Sequence, residues 1–431
     1  MLLPILVHAD AVEINGIYYN LISKGKVAEV TINPNKYSGD VTIPASVTYN
    51  EVEYNVTDVG NEAFQDCREL TSVTIGDNVT RIGNGVFQRC SNLSSVTLPG
   101  SLIEIGEWAF SYCWKINTIN IPNSVKKIGV GAFNTCGITS ITIPSNVSTI
   151  DKFTFYSCSQ LTSVTIPESV QTIGEESFRE CKGLNTINIP NSVTNILKLA
   201  FFECSGLKSI IIPDNVNCIY DNTFEGCTGL TSVTFPASLT CIKREAFKGC
   251  TGLTTLDIPN NIVGIESSAF IDCSALTSIK IGSEIRYIDP KAFANCAELA
   301  DVYCYAEKVP ETSSDCFEGS YPAYIILHVP ANSVDTYKAT EPWSGFKSVL
   351  AIEDTGIAGA RNNSILIRAE KGVICVDGAE NGTAVSIYST NGAEVGTSVV
   401  KNNKVLIPSN LPAGSIAIVN VNNKSVKVII K

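Results

Sequence analysis

The sequence predicts a mostly β fold with short helical turns: a right-handed solenoid of 23-residue coils, followed by a small C-terminal β-sandwich. Three observations lead there. Cysteines recur at positions 67, 90, 113, 136, 158, 181, 204, 227, 250, 273 and 296, every step being 23 residues except one of 22. A phenylalanine stands three residues before each of them, from Phe64 to Phe293. After Ile352 the repeat stops, and alternating apolar and polar residues bounded by turn signals take over. A fixed period of this length marks an architecture of stacked repeats.

Each part of the coil follows from its residues. In LTSVTIPESVQTIGEESFRECKG, Leu161 to Gly183, the residues Leu161, Val164 and Ile166 show the L-x-x-L-x-L spacing of a leucine-rich repeat strand, alternate side chains pointing inward. Pro167 ends the strand because it has no N–H to donate to a ladder. Val170, Ile173, Phe178 and Cys181 complete the inward set on the return arm, read as a second short strand and a tight helical turn. Those seven side chains cannot offset the entropy of ordering a lone coil, so the unit must stack and be capped at both ends. The Gly after the return-arm Ile, at 83, 106, 129 and 174, becomes Leu197, Tyr220, Lys243, Glu266 and Asp289 in later coils, which implies a less demanding or differently shaped turn there.

Composition bounds the rest. A chain of 431 residues holds two or three domains, and 44% hydrophobic with 17% charged residues describes a folded protein with a sizeable core. The net charge of -11, with no basic run, argues against nucleic acid or an anionic membrane as partner. No apolar run reaches ~18 residues, so nothing is expected to span a membrane. The opening MLLPILVHADAV pairs an apolar stretch with Ala9 and resembles the end of a signal peptide; the other reading is a buried N-terminal strand.

The sequence holds 16 cysteines, and their spacing speaks against chemistry. The ladder cysteines are expected to be reduced, buried and packed beside phenylalanine. Stacked in-register side chains lie about 4.8 Å apart, whereas bridged Cβ atoms need about 3.5–4.5 Å. With no C-x-x-C pair in the chain, no zinc site is expected. Cys218 and Cys241 form a separate two-rung column, expected near the surface of adjacent coils, where they either oxidise or stay inert, the inert state being the expectation.

The repeat, written out, resembles the BspA-type leucine-rich repeat proteins, surface and secreted proteins of Bacteroidetes and some other microbes. The likeness covers residues 12 to 350. It includes the lead-in from INGIYYN to DVGNEAF and the exit VPANSVDTYKATEPWSGFKSVLAI. The sequence lacks the general leucine-rich pattern's Asn ladder, carrying Pro and Ser at that turn. The tail, with AVSIYSTNGAEV and LPAGSIAIVNVNNKSVKVIIK, resembles the C-terminal β-sandwich modules of Bacteroidetes secreted proteins, including the type IX secretion tail. Asn391-Gly392 marks a hairpin turn. The expected divisions are 1–9 leader remnant, 10–57 N-terminal cap, 58–303 solenoid, 304–352 C-terminal cap, 353–363 linker and 364–431 sandwich.

Residue types needed for catalysis are sparse. The two histidines are His8, in the leader, and His328, in a strand-like run of the exit cap, where a structural role is expected. No Gly-rich phosphate loop or Asp-rich calcium loop is present, so no cofactor is expected. The acidic residues are scattered, and the sequence reads as a non-enzyme.

A solenoid's function lies on its exposed columns. The outward strand positions are mostly Ser and Thr, from Ser72 and Thr74 onward. Ile211, Asp257, Lys280 and Tyr303, with Asp301 beside them, interrupt the column and form the first candidate partner site. The second is aromatic: Trp108, Tyr112 and Trp114 around the core Phe110, with Phe153 and Tyr156 two coils further on. The resemblance implies a secreted or outer-surface bacterial protein, adhesin-like, contacting a protein or glycan on a host or microbial surface; a monomer is expected. A structural spacer with no ligand of its own is the alternative, and it would present a uniform face.

Overall fold

The computed structural model describes residues 11–352 and, with short gaps, 366–429. The leader at 1–9 with His8, the linker at 353–363 and the Asn391-Gly392 turn lie outside the described residues. The chain divides into two compact units, Met1–Ile352 and Glu353–Lys431.

The first unit is the solenoid. Most coils contribute a three- or four-residue strand to one face, as in Ser140–Thr142 against Ser163–Thr165. A two-residue strand, such as Thr149–Ile150 against Thr172–Ile173, lies on the return arm. Both ladders are parallel and in register, because identical coils present identical edges. All seven inward side chains of the coil at Leu161–Cys181 are buried, as expected. The residue before each phenylalanine, Ala109 or Ser177 for example, is buried as well and makes an eighth.

Phenylalanine forms a continuous stack from Phe64 to Phe317, with ring centroids 5.1–5.8 Å apart. The widest step, 5.8 Å between Phe133 and Phe155, falls where the repeat is one residue short.

The segment around each phenylalanine forms a run of hydrogen-bonded turns. Alternate N–H groups bond within the coil and across to the next: Glu62, Phe64 and Asp66 donate to the carbonyls of Asn84, Val86 and Gln88, while Ala63, Gln65 and Cys67 donate three residues back. Such alternation needs two left-handed residues per coil, four apart, and Glu62 and Asp66 both have φ 58°. Each costs about 1 kcal/mol or more without glycine, a cost the inter-coil hydrogen bonds offset. The glycines of the return arm have a different role: a Cβ on Gly106 would lie 2.5 Å from the Gly83 backbone, so coils approach closely there.

The ladder thiols are hydrogen-bonded as well as packed. Cys90, Cys113 and Cys204 each donate to the phenylalanine carbonyl of the preceding coil at 3.0 Å. In the last coil Ser320 stands three residues after Phe317 and donates to the Phe293 carbonyl at 2.6 Å. Burial pushes the Cys227 thiol up to about 12, so it stays protonated at neutral pH.

One sulfur expectation is corrected. Cys218 and Cys241 are joined by a disulfide, with Cα atoms 4.9 Å apart on adjacent parallel strands, Cys218 buried and Cys241 half-buried. That separation lies inside the range a disulfide spans. We expect the eleven ladder cysteines to resist a thiol reagent in the native protein and to react once it is denatured, with reduction then releasing the thiols of Cys218 and Cys241. Rapid native labelling of the ladder would contradict this packing.

Antiparallel strands open the solenoid. Val12–Ile14 turns through Asn15-Gly16, φ 51° and 84°, into Ile17–Ile22, the favoured two-residue hairpin. Val27–Val30 and Val52–Val59 follow and lead into the return-arm sheet. At the other end the helix Val334–Ala339 and the buried Tyr337, Trp343 and Phe346 cover Phe317. In the second unit, two antiparallel sheets share one core. Ile374, Val376, Val405 and Ile407 come from one, and Val385, Ile387, Ala417 and Val419 from the other. This is the β-sandwich arrangement expected of the tail.

Candidate functional site

Two surfaces depart from the monotony of the coils. The first lies on the strand face of the last five parallel strands, Thr255–Ile258, Ser278–Ile281, Asp301–Cys304, Ile326–Val329 and Ser348–Ala351. Leu256, Ile279, Val302, Leu327 and Val349 are buried. The period of two therefore sends the next residue of each strand outward. The register aligns these as one row: Asp257, Lys280, Tyr303, His328 and Leu350.

Neighbours in the row interact. Lys280 and Asp257 form an ion pair at 3.9 Å, both side chains more than half exposed. Tyr303 stacks on His328, centroids 4.3 Å apart and planes within 8°, and His328 Nε2 lies 3.1 Å from Asp301 Oδ1. Burial first, and then the Asp257 carboxylate, raise the Tyr305 hydroxyl above its ordinary value. Leu350 ends the row exposed. Ile211 stands apart from this group, two coils before Asp257, with 69% of its surface exposed. The structure thus joins four of the five candidates and adds His328 and Leu350. Their place becomes visible only when the irregular exit cap is aligned with the strands.

The second surface lies on the turn arms. Trp108, Tyr112, Phe153 and Tyr156 line an open depression of about 530 Å³ with Gln88, Asn134 and Glu176. Trp108, Tyr112 and Phe153 occupy left-handed turn positions, φ 56°, 59° and 61°. The Trp108 indole lies over Gly131 of the next coil, where an added Cβ would sit 2.3 Å from the ring, and reaches Phe153 beyond it at 6.1 Å between centroids. Trp114 meets Tyr112 edge-on at 6.3 Å and is 59% exposed, but it does not line the depression. The missed residue is Gly131, whose role could have been read by aligning it with Trp108 one repeat earlier.

Charges around the depression are paired. Arg179 bridges Glu176 at 3.2 Å and Glu180 at 3.4 Å, and covers the rings of Tyr156 and Phe202. Lys152 bridges Glu175 at 3.2 Å and lies over Phe153. Among the described residues, no group of three or more His, Cys, Asp and Glu side chains could hold a metal ion. No helix there is long and apolar enough to cross a membrane.

Fold and surface together define a repeat-built β-solenoid whose chemical variation is confined to exposed columns. The BspA type leucine rich repeat region matches it in six copies over residues 43–162, 148–244 and 217–337, and the chain belongs to that family. Similar solved structures include a leucine-rich repeat protein from Bacteroides ovatus, 29% identical over 68% of this chain and 94% of that one, TM-score 0.44. A leucine rich cell surface protein from Faecalibacterium prausnitzii is 28% identical over 70% of this chain and 94% of that one, TM-score 0.44. The pneumococcal vaccine antigen PcpA is 17% identical over 80% and 98%, TM-score 0.44. No curated protein matches the chain. Members of the family are typically cell-surface or secreted proteins, and leucine-rich repeat proteins generally bind other proteins.

Proposed function

We propose that the chain is a non-enzymatic, adhesin-like binding protein, secreted or held at the outer surface of a bacterium, that contacts a macromolecule of a host or microbial surface. The observation that carries this reading is the row Asp257, Lys280, Tyr303, His328 and Leu350. Outward residues of a parallel ladder do not hold the core, so stability gives no reason for them to differ from Ser and Thr. A spacer would have kept the column uniform. The row instead offers a stacked aromatic pair, two charges of opposite sign and an exposed leucine on one sheet face. These are the elements from which protein interfaces draw an anchor and a register. Ile211 belongs to the same column as an outlying contact, and a folded protein is the partner that a row mixing charge, aromatic rings and an exposed leucine suits best.

The test is a triple change, Asp257→Thr, Lys280→Thr and Tyr303→Thr, assayed on immobilised extracellular-matrix proteins and on intact bacterial cells. The exposed ion pair contributes at most about 1 kcal/mol and the stacked pair about 0.5–1.5 kcal/mol, so the variant should remain folded. Attachment should fall at least about tenfold. Attachment at full strength would remove the row from the binding surface.

A further inference from the structure

The depression on the turn arms has a composition of its own. Four aromatic side chains form its walls, and two amides supply hydrogen bonds. Asn134, only 7% exposed, accepts hydroxyl hydrogens from Ser111 and Thr135 on Oδ1. Its amide N–H groups have no acceptor among the described residues. Gln88 accepts from Gln65 at 2.7 Å, and its own amide N–H groups likewise have no acceptor there. Neither nitrogen is among the fully buried polar atoms that lack a partner, so both open onto the depression and can donate to a ligand that enters it.

The charges decide what can enter. Glu176 is the carboxylate of the lining and it is bound to Arg179, while Lys152 is bound to Glu175. A charged ligand would find no unpaired opposite charge among these groups, whereas a neutral one leaves both pairs intact. The walls favour a ligand with apolar C–H faces that can lie against aromatic rings, and the amides favour one that also carries many hydroxyl acceptors. The volume is that of a small-molecule site.

We propose that this depression binds a neutral saccharide, with sugar faces packed on Trp108 and its aromatic neighbours and hydroxyls accepting from Asn134 and Gln88. The site is separate from the strand row and acts independently of it. Gly131 is its positioning residue, because only a residue without Cβ lets the indole lie flat across the coil. The backbone itself does not require glycine: Trp108, Phe153, Glu176 and Leu199 hold the same repeat position with φ 54–61°.

Calorimetric titration of the full chain with neutral hexasaccharides of glucose, mannose, galactose and N-acetylglucosamine tests this. At least one should bind saturably. Gly131→Ala should weaken it by about tenfold or more while still melting cooperatively, at a somewhat lower temperature because its φ is left-handed, and Trp108→Ala should weaken it similarly. If Gly131→Ala proves unstable, Trp108→Ala decides alone. The triple strand-row variant should bind the saccharide unchanged. Absence of saturable binding across the panel, or full binding by Trp108→Ala, overturns the proposal. So does a depression whose only ligand, lost in both variants, is a peptide or protein.

Discussion

Replacing Phe178 with Ala should destabilise the solenoid by about 3–5 kcal/mol. The ring is fully buried between Phe155 and Phe201, at 5.3 and 5.4 Å between centroids and nearly parallel to both. Truncation to Ala therefore removes contacts on two coils at once and leaves a cavity that neighbours cannot fill without leaving their own stacks. Because each coil rests mainly on its neighbours, the damage should begin locally, the denaturant melt broadening as well as shifting. A loss below about 1 kcal/mol would mean that the phenylalanine column is not what joins the coils.

A pair of truncations should give the other large effect. A chain ending at Ile352 is expected to keep its cooperative melt, since the exit cap remains whole and the second unit has its own core. A chain ending at Glu318 should fail to fold cooperatively. It loses Trp343 and Phe346 from the face of Phe317, and it loses the strand Ile326–Val329 that pairs with Asp301–Cys304. Each buried aromatic forgone is worth about 1.5–3 kcal/mol, and the bare parallel edge left behind is a site for aggregation. Circular dichroism melts of the two products distinguish the cases. Loss of cooperativity in the longer one would place residues beyond 352 in the cap.

Neither surface was fully legible beforehand. The break in the hydroxyl column pointed to Asp257, Lys280, Asp301 and Tyr303 because they violate a simple local pattern. The sequence could not show that Tyr303 would stack on His328, since the cap between them is irregular. The aromatic cluster was visible as residues crowded around Phe110. Its depression was not, because that depends on a glycine 23 positions after Trp108 and on two rings two coils away.

The sequence by itself determined the coil. Its length, its strand, the proline that ends that strand, the inward set with phenylalanine and cysteine, and the change to a sandwich after Ile352 all follow from apolar periodicity and turn chemistry repeated along the chain. Those signals are local, and stacking copies them without altering their meaning. Tertiary structure decided what identical coils place side by side. It bonded Cys218 to Cys241, turned nine of the eleven ladder thiols toward a phenylalanine carbonyl and put two left-handed residues in every turn arm. These features rest on side-chain direction and on ångström-scale spacing between residues one or more coils apart, which composition and period leave open.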